Sequence, residues 1–366
     1  MNRSAAPSRR RIAVVGAGVL GAAMAYSLAR EGAEVHLIES GRVGGGATND
    51  AFGWVGLSAS APDAEQAALR RVASVELDRL AGELPLPFSL RRSGALSWSA
   101  ERGDTDSVAA TGAAWGSAIR VVDRAEIGQR EPGLRHPPGA AVLAEHDGSL
   151  DPVAFTVSLQ RGAQDLGAVL SEQTHVHEVL VADGRVRGVR TSGGTVDVDT
   201  VVLAAGTGTP ALASVLGVTV PVASSPCILM RFTTSRPLLN GIVSGPDFEL
   251  RQAGETTLLA AEDYIDDSPE NGPAALAALT LDTIRREIAG SEDVALTDVA
   301  VGLRPIPADG RPIIGTVEPI AGLYIVSAHA GIALAAGIGR LAAEEIMHDR
   351  VSEILSPFRP ARFPIA

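Results

Sequence analysis

The stretch RIAVVGAGVLGAAMAYSLAREGAEVHLIE, residues 11 to 39, restricts the fold more than any other part of the chain. Ile12 to Val15 form an apolar run rich in β-branched residues, as a central parallel strand requires. Gly16, Gly18 and Gly21 follow in the spacing G-x-G-x-x-G, with Val19 and Leu20 between the last two. Ala22 to Arg30 reads as a helix stopped at Gly32, a residue type suited to the C-terminal cap. Val35 to Ile38 reads as a second strand, closed by Glu39. Each piece has a physical task. Gly16 permits the tight turn, Gly18 lets backbone approach a pyrophosphate, and Gly21 lets helix and strand pack closely. The helix N-terminus offers free N–H groups and a positive dipole end to phosphates. Glu39, close to the spacing of roughly 20 residues expected for such a unit, can accept from ribose hydroxyls. Its charge disfavours a 2′-phosphate, hence NADP. The unit reads as a dinucleotide site; the alternative is a glycine turn with a structural role alone.

The residues after Glu39 narrow the dinucleotide. A strand–helix unit would continue an NAD domain, but the chain gives SGRVGGGATNDAFGWV. Such a glycine-rich loop, with Ser40, Arg42, Gly46, Ala47 and Thr48, can wrap an extended pyrophosphate with backbone N–H groups. A surface loop is the alternative. Phe52 and Trp54 fit the lining of a flat ring, or plain core.

The 366 residues suggest about two domains. A net charge of −12 argues against nucleic acid and anionic membrane as partners. All 31 basic residues are arginine, so chemistry that needs a lysine amine is excluded. One cysteine, Cys227, allows no internal disulfide and reads as a small buried hydrophobe. No apolar run reaches the ~18 residues of a membrane span. The start, MNRSAAPSRRR, lacks the features of a signal peptide and reads as a disordered tail, so a cytoplasmic location is expected.

Further along, Pro62 to Leu80 is amphipathic, and PLPFSLRRSGALSWSA reads as an extended segment and a hairpin strand. Glu101 to Arg130 mixes helix and short strand. Asp151-Pro152 opens a helix that ends near Gly167, with Asp151 as N-cap. Strands are expected at Val169–Leu170, Val176–Val181, Val186–Thr191, Thr195–Val198 and Val201–Ala205, with a hairpin turn at Asp183-Gly184. Short alternating strands fill Pro221 to Ala261, a helix spans Ala274 to Ala289, and a buried strand lies at Tyr324–Ser327. Gly331 to Met347 is a long helix. In VGLRPIPADGRPIIG, residues 301 to 315, Arg304 stands between an apolar run and a proline-broken loop.

The opening motif, GRVGGGAT, DGSLDP, VVLAAG, VGLRPIPADGRPIIG and GLYIVSAHAGIALAAGIG occur in the order of one family. The chain resembles the D-amino-acid oxidase/dehydrogenase superfamily of FAD-dependent oxidoreductases, the group holding glycine oxidase, monomeric sarcosine oxidase and bacterial D-amino-acid dehydrogenases. The resemblance spans nearly the whole chain and is weakest in residues 60 to 140 and 225 to 300. It implies an α/β fold: a Rossmann-like FAD-binding domain of the glutathione-reductase type, interleaved with an antiparallel-sheet α+β substrate domain. The division expected is 1–58, 145–222 and 300–366 for FAD, and 59–144 and 223–299 for substrate. By motif match, Gly16, Gly18, Gly21, Glu39, Arg42, Gly46, Ala47 and Thr48 hold the ADP and pyrophosphate part. The resemblance puts the backbone of Val176 at adenine and closes Ala205 and Gly206 over the cofactor. It runs Gly331, Ile332, Ala333 and Leu334 beside the flavin's pyrimidine edge, where a helix N-terminus suits the negative charge of reduced flavin.

The same resemblance makes Arg304 a clamp on a substrate carboxylate, set against the cofactor; the alternative is a structural ion pair or loop staple. His329 either polarises flavin or oxygen, or is structural. Asp309 reads as a turn residue. Where several relatives place a pocket tyrosine this chain offers Phe248, which suggests a more apolar substrate. Asp263 is a candidate ammonium ligand, or part of a solvated acidic loop, EDYIDDSPE. Sarcosine oxidases use a lysine to activate oxygen. None exists here, so another cation serves or oxygen is not the acceptor. No cysteine stands near 301–315 or His329, so FAD is expected to be non-covalent. The reaction expected is oxidation of a C–N bond beside a carboxylate in an amino acid or secondary amine. The alternatives are the FAD-carrying subunit of a heteromeric dehydrogenase, a flavin monooxygenase lacking a second G-x-G-x-x-G for NADPH, and a binding module without catalysis. A homo-oligomer or a partner subunit stays open.

Overall fold

A computed structural model describes residues 9–56 and 63–363. The expected N-terminal tail, Pro62 and the 58/59 boundary lie wholly or largely outside them. Two sheets organise the chain. One has six strands in the order Ile313–Thr316, Leu323–Ser327, Thr200–Leu203, Arg11–Val15, Glu34–Ile38, Val169–Ser171. All neighbours are parallel except the edge strand Ile313–Thr316. Its central strand is apolar on both faces because both are covered. Ile12 and Val14 face a helical layer of Val19–Arg30, Pro152–Asp165 and Gly331–His348, while Ala13 and Val15 face a three-stranded meander, Val176–Ala182, Arg185–Thr191 and Gly194–Asp197. This three-layer α/β arrangement is the expected dinucleotide fold.

Local rules hold where the sequence stated them. Asp151 caps the helix Pro152–Asp165, its Oδ1 accepting from Val153 N and Ala154 N at 3.0 Å. Asp183 and Gly184 both have positive φ, 51° and 67°, as a tight hairpin turn requires.

The second sheet has eight strands: Ala295–Pro307, Val222–Thr233, Thr257–Asp263, Phe248–Gln252, Ile242–Gly245, Ala95–Ser97, Ala140–Ala144 and Ile119–Asp123. Here the sequence reading needs correction. Val222–Thr233 is a 12-residue strand paired along its length with the 13-residue Ala295–Pro307. Arg304 therefore lies inside a strand and not before a loop. Pro305 and Pro307 are tolerated because that strand is the sheet edge, where a missing N–H breaks no ladder. Ala95–Ser97 forms no hairpin with a sequence neighbour. It pairs in parallel with Ile242–Gly245 and antiparallel with Ala140–Ala144, a strand absent from the sequence reading.

Packing also redraws the division into domains. The helix Ala64–Glu83, assigned to the substrate part, sends Leu69, Ala73, Leu77 and Leu80 into the core of the nucleotide unit. It rests on Gly331–His348, where a Cβ on Gly337 would stand 2.8 Å from Ala73 Cα. The boundary at 299/300 falls inside the edge strand of the second sheet.

Candidate active site

The two sheets enclose a cavity of about 930 Å³. The glycine loop and its surroundings line part of it. Gly16 has φ +99°, and a Cβ there would lie 2.5 Å from Ala204 O. A Cβ on Gly21 would lie 1.8 Å from Gly16 O, so only glycine allows this turn to rest on its helix. The Thr48 hydroxyl accepts from Val19 N at 3.1 Å and so holds the second loop against the helix start. Glu39 accepts from Ala17 N and Gly41 N, both at 2.7 Å, which fixes its carboxylate at the cavity edge with lone pairs to spare.

The expected cofactor residues divide by position. Gly16, Gly18, Val19, Leu20, Glu39, Ser40, Gly46, Ala47, Thr48, Val176, Ala205, Gly206, Gly331, Ile332 and Ala333 line the cavity, and so does Arg304. Gly21 is buried behind the loop it supports. Two expectations do not place their side chains at the wall. Arg42 is exposed away from it, and Leu334, fully buried, packs in the helical core because it points back from the helix start. Phe52 and Trp54 both line the cavity. Arg251 stacks on Phe52 at 5.4 Å, and Trp54 Nε1 donates to Asp147 at 2.8 Å.

Arg304 is partly exposed. Its Nη2 donates to Ser225 Oγ, Pro226 O and Asp263 Oδ1, each at 3.2 Å, while its buried Nε has no partner. Both readings of Arg304 therefore meet in one side chain: an ion pair to an 85% exposed Asp263, and a guanidinium facing the cavity. From Ile265 on the acidic loop is largely exposed, with Asp266 Oδ1 accepting from Ser268 N. His329 lines the cavity beside Gly331, and desolvation, then the charges of Arg304 and Arg70, lower its pKa and favour the neutral ring. Asp309 is a turn residue, accepting from Arg311 N at 3.1 Å and pairing with Arg362. Cys227 is only half-buried and reaches the cavity, its thiol pKa raised chiefly by burial.

Phe248 corrects the sequence argument most. It borders the cavity, yet it is 7% exposed and sits in the sheet's own core, edge-on to Trp98 at 5.7 Å. Most of its ring is therefore packed against the sheet's core, with little left for a ligand. The sequence reading missed Glu249, Glu262 and Arg70. Glu249 and Glu262 line the cavity, and burial is the first cause raising both carboxyls, Glu249 to about 7. Arg70 is 7% exposed, and its Nε has no partner. Strand alternation around Phe248 was the available signal for Glu249; nothing in the sequence singled out Arg70.

A glycine-loop cavity between a parallel nucleotide sheet and an antiparallel floor defines a dinucleotide-dependent oxidoreductase of the flavoprotein type. The family model for FAD dependent oxidoreductases, DAO, matches residues 11–345, and the chain belongs to that family. It is 25% identical over 365 residues to an opine oxidase subunit of Rhizobium meliloti, covering 96% of each chain. It is 31% identical to a D-amino acid dehydrogenase of Allorhizobium ampelinum, over 79% of this chain and 68% of that one. Glycine oxidase from Geobacillus kaustophilus superposes with a TM-score of 0.86 at 23% identity, over 97% of this chain and 100% of that one. The cofactor is FAD, and the glycine cradle fits it. Side chains are excluded at Gly16 and Gly21 from within, whereas at Gly46, on the wall, a Cβ would meet nothing within 4 Å. Among the described residues no His, Cys, Asp and Glu are grouped to hold a metal ion, and no helix is long and apolar enough to cross a membrane.

Proposed function

We propose that the chain oxidises the C–N bond of an amino acid or secondary amine at the Arg304 end of the cavity. FAD, when bound, supplies the hydride acceptor. The observation that carries the reading is a partly shielded guanidinium with an unpartnered Nε in the wall of the same cavity that the glycine loop lines. Arg304 holds the substrate carboxylate by charge-assisted, two-point hydrogen bonding. Asp263, already on Arg304, meets the amine. The N-terminus of the helix Gly331–His348 presents N–H groups to the cofactor's pyrimidine edge. Neutral His329 takes or gives a proton at a ring nitrogen. The apolar part of the wall excludes water, and the work of the chain is positioning and charge stabilisation.

The purified protein is expected to be yellow and to lose its flavin absorbance when mixed without air with an amino acid or N-alkyl amino acid. A colourless preparation that takes up no FAD, or one that no amine bleaches, overturns the reading. A second reading, an FAD-carrying subunit that passes electrons to a partner, draws on the full-length likeness to a protein named as a subunit. Slow recolouring in air and fast recolouring with an artificial acceptor support it.

A further inference from the structure

The cavity floor has two faces, and pairing register decides which side chains share one. Arg304 is opposite Ser225; Cys227 and Leu229, two and four residues on, face the same way. Cys227 is opposite Asp263 and Leu229 opposite Ala261. The pairing of Leu250 with Ala260 puts Glu249 opposite Ala261, and Glu249 is also opposite Ser244. Arg304, Asp263 and Glu249 therefore stand on one face. That face looks to the cavity, since Arg251, two residues after Glu249, donates to the carbonyls of Phe52 and Leu150 in the nucleotide unit. The other face, with Ile228, Met230, Phe248 and Leu250, packs into the core with Ala277 and Ile284 of the helix Pro273–Glu287.

The two ends of the floor differ in charge. Three strand spacings and four residues separate Arg304 from Glu249, about 20 Å between Cα atoms before the side chains close part of the gap. Arg304 shares its end with His329, whose pKa also responds to the buried cation Arg70. Glu249 feels the charges of Glu262 and Asp263 on the next strand and has only a long contact, 3.4 Å, from Ser244 Oγ. Among the described residues no ion pair neutralises it. An acid in a walled cavity without a cation is costly when charged.

We propose that Glu249 selects the substrate: it receives the cationic side-chain terminus of a basic amino acid whose carboxylate lies on Arg304. The inference rests on the amine-oxidation reading above. Glycine is too short to meet both groups, and an apolar side chain would leave the carboxyl facing hydrocarbon. A guanidinium or ammonium gives it a partner.

Arginine and citrulline test this, since they match in length and differ in charge. Both enantiomers are mixed without air with the flavin-loaded protein, and half-saturation for flavin bleaching is measured from pH 6 to 8. The wild type is expected to half-saturate with arginine at a concentration at least tenfold below that for citrulline at pH 8, and the preference shrinks towards pH 6 as Glu249 protonates. Glu249→Gln removes both the preference and its pH dependence. The groups that act on Glu249 are Glu262 and Asp263, by charge, and Ser244, by its hydroxyl, while Asp50, Arg70, His329 and Arg304 line the same cavity. All remain in the variant, so their titration cancels in the comparison. Equal half-saturation in the wild type overturns the proposal, as does a preference that survives in Glu249→Gln. Should the variant take up no FAD, the wild-type pH profile decides. Should no amino acid bleach the flavin, the reaction assigned above fails. Quenching of Trp54 fluorescence by arginine against citrulline then still decides the role of Glu249.

Discussion

Arg304→Ala separates a clamp from a staple because the two roles load different terms. As a staple, Arg304 contributes two neutral-acceptor hydrogen bonds at 3.2 Å, to Ser225 Oγ and Pro226 O, and one pair with a carboxylate that is 85% exposed. Asp263 rehydrates when released, so the pair contributes about 0–1 kcal/mol. The hydrogen bonds add about 1 kcal/mol each, less what water restores. The variant is therefore expected to lose only about 1–2 kcal/mol, a drop of a few degrees in Tm, and to keep its flavin. As a clamp, the same side chain meets a carboxylate inside the cavity. Truncating one member of such a desolvated pair costs about 2–5 kcal/mol, which raises half-saturation by about 30-fold to several thousandfold. The assay is anaerobic flavin reduction at a series of substrate concentrations, with thermal unfolding measured on the same preparation. A variant that bleaches at wild-type concentrations with every carboxylate substrate refutes the clamp, whatever its Tm.

Gly21→Ala tests the cradle: its Cβ would fall 1.8 Å from Gly16 O, so the loop must move and FAD uptake, followed by absorbance after gel filtration, is expected to fail. Glu345→Ala tests the C-terminal staple. Half-buried Glu345 accepts from Tyr324 Oη and Ser352 N at 2.7 Å and pairs with Arg359, so about 2–4 kcal/mol should be lost in urea unfolding. Glu249 predicts a pH dependence in the flavin-free protein. Its folded pKa of about 7 lies above its ordinary 4.5, so the folded state holds the proton longer and stability falls as pH rises from about 4.5 to 7. At 1.36 kcal/mol per pH unit this is at most about 3 kcal/mol, less what solvent screening removes. Glu249→Gln should flatten that segment of the urea-midpoint profile, and an unchanged slope counts against it.

The nucleotide half was legible because its signals are local. Gly16, Gly18 and Gly21 act within one turn, Asp151 caps the helix directly after it, and the Asp183-Gly184 turn is set by its own two residues. The substrate half resisted because its signals are not local. Ala95–Ser97 is only three residues long and gains its meaning from partners near 143 and 243. Ala64–Glu83 was legible as an amphipathic helix, but which core it joins depends on Gly337, far along the chain.

The site fell on that dividing line, and one residue shows the cost. In DFELR the sequence reading singles out Phe248, and Glu249 beside it points to the opposite face of the same strand. The resemblance favours the aromatic, since several relatives place a pocket tyrosine on this strand. Register reverses the choice: Leu250 opposite Ala260 carries Phe248 into the core, and the acid to the face shared with Arg304. A slip of one residue in that ladder would exchange every inward side chain for its neighbour. The substrate class then turns on alternation, a property fixed by strands distant in sequence. That alternation moves the expectation from an apolar ligand at Phe248 to a cationic one at Glu249.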